Sequence, residues 1–223
     1  MVEQARTDRQ ELGEEVELAL AYARQHDRPL MRSVFELDRR LAGVVATSSE
    51  TMIGQMRLAW WRDLLEKPVS ARPSGEPLVK RLGDTWGGSA SEFSPLVDGW
   101  ETLLVADALD KETLRQFCEG RAEAWAAIAR ALELPGTDQR RAYNAGYRWA
   151  LADLAAHLSD EGERSMALDL AKGLEPAAPL HRRLRPLAIL SGLAKRSLAM
   201  GGVPLLEGRT AALLALRIGI SGR

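Results

Sequence analysis

The sequence has little of what usually announces a particular chemistry. Cysteine occurs once, at Cys118, which excludes an internal disulfide and a cysteine-based zinc site. With Leu114 and Phe117 beside it, that thiol is expected to be an inert part of the core. Histidine occurs at His26, His157 and His181, no pair of which has metal-ligand spacing on a helix, so zinc is not expected. There is no glycine-rich phosphate loop and no Gly-x-Ser-x-Gly elbow. No apolar run approaches the roughly 20 residues of a membrane span. Met1 to Gln10 is polar and lacks the apolar stretch of a secretory signal, which points to the cytoplasm. A formal net charge of −1 gives no basic face for nucleic acid. Ile, Tyr and Phe are scarce and no stretch alternates apolar with polar, so strands are not expected.

What is present favours helices. Ala, Leu, Arg and Glu dominate, and 46% apolar residues suffice for a real core. Apolar residues recur at helical spacing in ten segments. The first runs from Arg9 to Gln25, with Asp8 as its cap and Leu12, Val16, Leu20 and Ala23 on one stripe. The second starts at Pro29 and carries Val34, Leu37, Leu41 and Val44; the third runs from Glu50 to Lys67 with Ile53, Met56, Trp60 and Leu64. Further helices are expected over Pro77 to Trp86, Glu92 to Ala106, Asp110 to Leu134, Asp138 to Asp160, Glu163 to Leu174, Leu180 to Met200 and Glu207 to Ile220. The helix after Asp110 places Leu114, Phe117, Arg121, Trp125, Ile128 and Leu132 on one side. The breakers between segments are short and no fixed period repeats, so residues 1–223 are read as a single all-α domain, a multi-helix bundle.

Several stretches admit both a structural and a functional reading. Met56 to Asp63 sets two tryptophans among charges: a core Trp beside a half-exposed one, or a pocket wall with an arginine at its rim. Trp60, Trp100, Trp125 and Trp149 fall on apolar faces of separate helices, as core side chains or as the lining of one apolar pocket. The basic run His181 to Arg185, with Lys195 and Arg196, reads as a solvated helix end or as contact with an anionic membrane surface. Asp160, Glu161 and Glu163 suit a helix boundary, and paired carboxylates also suit Mg²⁺.

The order of helices and a few segments resemble the squalene/phytoene synthase family. Those enzymes have the all-helical class I isoprenoid synthase fold and join two prenyl diphosphates head to head. Val34 to Leu41 resembles the run into the family's first aspartate cluster, Phe-Cys-Arg-x-Val-Asp-Asp-x-x-Asp. The three aspartates then fall on Ala42, Gly43 and Ala46. Asp153 to Arg164 lies without a gap on the second cluster, Gln-Leu-Thr-Asn-Ile-Leu-Arg-Asp-x-x-Glu-Asp. Asp160 and Glu163 match there, whereas Arg164 replaces the last acid. Trp149 falls near a position where the family has a small residue facing its pocket. The family's Gly-Arg-x-Tyr-Leu-Pro stretch is missing. Pro95 to Trp100 resembles the family's Glu-Gly-Met segment, with Leu103 at its downstream aspartate. Arg57 to Asp63, with Pro77 and Leu78, is similar to a divergent branch that includes a mitochondrial respiratory complex I assembly factor. The resemblance spans most of the chain at low identity.

The resemblance implies an isoprenoid synthase type I fold with degenerate catalytic motifs. Ionising an allylic diphosphate needs Mg²⁺ held between two facing carboxylate clusters, and one cluster is gone. The expected protein is therefore non-catalytic or repurposed, acting by partner binding or in assembly, and needs no cofactor. The alternatives are an active prenyl diphosphate transferase with a rearranged Mg²⁺-dependent site, and a module that binds a prenyl lipid. The pocket candidates are Phe35, Asp38, Arg39, Met56, Trp60, Trp100, Trp149, Asp153 and His157, with Asp160 and Glu163 as the remnant of the second motif. An isoprenoid or other apolar ligand, a protein partner and peripheral membrane contact are the partners this reading allows; nucleic acid is not.

Overall fold

Helix starts follow local chemistry closely. Asp110 Oδ1 accepts from the Thr113 amide at 2.7 Å, and Asp160 Oδ1 from the Glu163 amide at 2.9 Å. Pro29, Pro77, Pro95 and Pro186 occupy first turns, where a missing amide costs nothing. The computed structural model describes residues 12–73 and 75–222. Its α-helices, in chain order, are α1 Glu14–Ala21, α2 Arg28–Thr47, α3 Thr51–Glu66, α4 Pro77–Trp86, α5 Ser94–Val105, α6 Lys111–Ala131, α7 Gly136–His157, α8 Glu161–Lys172, α9 Arg185–Ala199 and α10 Arg209–Ser221. Short 3₁₀ turns occupy Val69–Ala71, Gly87–Phe93 and Arg182–Leu184. Among the described residues there is no strand, so the all-α reading holds.

Several boundaries differ from expectation for local reasons. Helix α7 ends at His157, short of Asp160, because Asp160 caps α8, which starts at Glu161 and not at Glu163. Helix α1 is shorter than Arg9 to Gln25, starting after Gly13 and ending at Ala21; the expected cap Asp8 lies outside the described residues. Helix α5 begins at Ser94 because Gly87 and Gly88 lead into a 3₁₀ turn, with Gly87 at a φ of 54°. Helix α9 begins at Arg185, since Pro176 and Pro179 hold the preceding chain out of helix.

Helices α6 and α7 form the centre and pack along their lengths, and both bury many small residues: Ala122, Ala126 and Ala129 on one, Ala142, Ala145 and Gly146 on the other. The approach is close, and a Cβ on Gly146 would lie 2.7 Å from Trp125 Cδ1. Helix α5 packs on α6 where Gly99 meets Gly120; a Cβ on Gly120 would lie 2.3 Å from the Pro95 carbonyl oxygen. Helix α9 covers the other side of α7 and carries α10 and α1, while α2, α3 and α4 build outward from α5.

The basic run before α9 is tied inward at Arg183 and Arg185 and solvated at Arg182. Arg183 forks onto the buried Asp27, Nη2 to Oδ1 at 2.6 Å and Nε to Oδ2 at 2.9 Å, and donates to the Leu132 carbonyl. Those hydrogen bonds hold the Asp27 carboxyl below its usual range. Arg185 donates to the Ile218 carbonyl at 2.9 Å, while Arg182 stays exposed. The run ties the start of α2 to α9 and α10. No helix among the described residues is long and apolar enough to cross a membrane.

Candidate functional site

Arg121 sits mid-stripe on α6, one turn after Phe117 and one turn before Trp125, so the helix carries it inward with its apolar neighbours. Only 6% of it is exposed. Its guanidinium forks onto Asp38 of α2, Nε to Oδ1 at 3.1 Å and Nη2 to Oδ2 at 2.8 Å. The remaining Nη1 reaches Asp153 Oδ2 of α7 at 2.5 Å. Trp100 of α5 donates its indole N–H to Asp38 Oδ1 at 2.7 Å. The cation also lies against three rings, 4.6 Å from the Trp149 centroid, 4.9 Å from Phe117 and 5.2 Å from Trp100. Burial alone would lower its pKa, but Asp38 and Asp153 outweigh that and hold it above its ordinary value.

Around this pair the interior is filled. Phe35 meets Trp125 and Trp149 edge-on at 5.5 and 5.7 Å. Val34, Phe35, Asp38, Leu96, Arg121, Trp125 and Trp149, among others, leave a cavity of about 10 Å³, room for roughly one water. Cys118 is fully buried, and burial pushes its thiol far up, as an inert core thiol requires.

The pocket candidates separate into three places. Phe35, Asp38, Trp100, Trp149 and Asp153 converge on Arg121. Arg39 points away on the exposed side of α2, and His157 is exposed at the end of α7, with Nδ1 2.7 Å from the Asp153 carbonyl oxygen and 3.6 Å from Asp153 Oδ1. Met56 and Trp60 lie on the outer surface. The core tryptophan of α3 is Trp61, because the buried stripe of that helix is Gly54, Leu58, Trp61 and Leu65, which turns Ile53, Met56 and Trp60 outward. Arg121 is the site residue the motif reading passes over, and its signal is a charge inside an apolar stripe.

The resemblance implies Mg²⁺, and the donor set does not fit it. Asp160 and Glu163 lie at the solvent-facing start of α8, where Asp160 is spent on the cap. Ala42 and Gly43 are half-buried and Ala46 is exposed. The acids that do meet inside, Asp38 and Asp153, lie one turn before Ala42 and two turns before Asp160, and both are bound by an arginine. Among the described residues no group of three or more His, Cys, Asp or Glu is arranged to hold a metal. Arg164, placed at the family's last acid, donates to the Leu158 carbonyl.

A second concave region lies outside. Val44 and Arg40 of α2, Ile53, Met56, Arg57, Trp60 and Trp61 of α3, and Glu76 line an open groove of about 510 Å³. Arg40 is bridged to Glu76 at 3.2 Å, while Arg57 points into solvent. Met52 and Met56 are 72% and 68% exposed, which is unusual for thioethers on a helix with a packed opposite face.

Comparison with protein-family models, with characterised proteins and with solved structures returns no match, so the function is argued from the residues and their geometry.

Proposed function

We propose that this chain is a non-catalytic helical protein that acts by binding a protein partner, with the groove between α2 and α3 as its working surface. The observation that carries this reading is the contrast in space. The interior meeting point of α2, α5, α6 and α7 keeps only about 10 Å³ and has both its acids tied to Arg121, whereas the outer groove keeps about 510 Å³ and is floored by methionine and tryptophan. A prenyl chain has no room inside unless Trp149 and Phe35 leave their packed positions. A metal would have to displace a guanidinium that already satisfies both carboxylates. The similarity of Arg57 to Asp63 to an assembly-factor branch supports the same reading.

The groove suits an amphipathic helix. Flexible thioethers adapt to the apolar face of such a helix, and tryptophan anchors it. Arg57 at the rim favours an acidic residue on the incoming helix, one turn from its apolar stripe. A photo-crosslinking amino acid at Met56, in cells that make the protein, tests this. The expected product is a single protein joined through an acidic amphipathic helix, lost when Trp60→Ala is added. Crosslinks to lipid, or none above those from a probe at the exposed Leu213 of α10, would overturn it.

A further inference from the structure

Helix α7 carries a second buried arginine whose charge is not answered. Arg148 is 6% exposed, as little as Arg121. Its guanidinium donates to Ser191 Oγ of α9 at 3.4 Å and to the main-chain carbonyl of Glu175. Both acceptors are neutral, and no ion pair to Arg148 forms among the described residues. Burial holds it below its ordinary pKa, with no carboxylate opposing. An arginine taken out of water without a counter-charge is costly.

That arginine opens onto a cleft. Between the first half of α7 and the stretch 175–178 lies a space of about 470 Å³, within the usual range for small-molecule sites. Thr137, Arg141, Asn144 and Arg148 follow one another at spacings of four, three and four, so they form one stripe along α7, with Arg140 beside it. The stripe ends at the start of α7, which has no side-chain cap and open space around Gly136. The opposing charges are two. The Glu175 carboxylate accepts from Asn144 Nδ2 at 2.8 Å, and Asp138 lies 3.5 Å from Arg141 Nη1. Three guanidinium groups against two carboxylates leave one positive charge in excess, with Arg140 in no ion pair among the described residues. Ala145, Pro176 and Ala178 give the cleft an apolar side.

We infer that this cleft binds a phosphate-bearing molecule, with the phosphate on Arg140, Arg141 and Arg148 and the rest of the ligand against Ala145, Pro176 and Ala178. Planar guanidinium forks match phosphate oxygens two at a time, and the free amides at a helix start favour the same anion. A bound phosphate gives Arg148 the counter-charge it lacks, while Thr137 and Asn144 orient the remaining oxygens. The site lies on a different face of α7 from Trp149 and Asp153 and is independent of the partner-binding reading.

Calorimetric titration of the full chain with inorganic pyrophosphate, and flotation with phosphatidylcholine vesicles with and without phosphatidic acid, test the inference. Pyrophosphate should bind, and Arg140→Gln and Arg141→Gln should each weaken binding about tenfold, as expected for losing one charge-assisted hydrogen bond. Both positions are exposed, so the variants should keep the helical circular dichroism of the parent. Trp60→Ala should bind pyrophosphate normally. Binding only to phosphatidic acid vesicles, lost in the double variant, would identify a lipid headgroup as the source of the phosphate. Absence of binding to either probe at millimolar concentration, or binding unchanged in the double variant, would overturn the inference.

Discussion

Arg121 and Arg148 are the same side chain, equally buried, on neighbouring helices, and they sit in opposite electrostatic states. Arg121 lies between two carboxylates under three aromatic rings, in an interior closed to about one water. Arg148 has only a hydroxyl and a carbonyl, and faces a cleft of about 470 Å³. Burial by itself therefore does not make an arginine structural or functional. What decides is whether the protein supplies the counter-charge. Where it does, the ion pair holds helices together; where it does not, the balance is left for something that arrives.

The comparison breaks first at Arg121. Arg121→Met leaves Asp38 and Asp153 facing each other without a cation and should cost about 3–5 kcal/mol in urea unfolding. Adding Asp38→Asn and Asp153→Asn should return most of that loss, because no unpaired charge then remains. A smaller loss, about 1–3 kcal/mol, is expected for Gly120→Ala, whose Cβ meets the Pro95 carbonyl and pushes apart the helices that aim Arg121. Arg148→Met should move stability by no more than about 1 kcal/mol, toward neutral or more stable, since removing an uncompensated buried charge offsets the lost hydrogen bonds. Ser191→Asp sharpens the contrast: it supplies Arg148 with the partner Arg121 already has, and should weaken pyrophosphate binding at least tenfold.

The smallest effect concerns Glu15 of α1. Burial, with some help from Asp153, raises its pKa. A carboxyl with a raised native pKa contributes stability below its unfolded pKa and loses it as pH rises through the native value. Glu15→Gln should therefore stabilise the protein slightly at pH 7, and the gain should vanish as pH falls toward the ordinary carboxyl pKa. A gain that grows on acidification would contradict this placement.

Much of the fold is legible in the sequence because helix periodicity and capping are local. Asp110, Pro29 and Pro77 mark starts that the structure keeps. The site is less legible because its parts come from α2, α5, α6 and α7, and pairing between helices leaves no local trace. Asp38, Trp100, Trp149 and Asp153 are visible as candidates, but Arg121, which unites them, looks from the sequence like one more position on an apolar stripe. The buried face of α3 differs from the expected one for a related reason: two adjacent tryptophans satisfy two helical registers, and only packing against neighbouring helices turns Trp61 in and Trp60 out. Arg148 is masked in the same way, as a charge among small residues on a helix that is buried on several sides.

If Arg121 closes the interior, the meeting of α2 and α7 is a staple and not a reaction centre. Incubation of the protein with farnesyl diphosphate and Mg²⁺, followed by assay of released pyrophosphate, distinguishes the two. No release above the protein-free rate is expected, with or without chelator. Sustained release that stops on chelation and is lost in Asp38→Asn would contradict it.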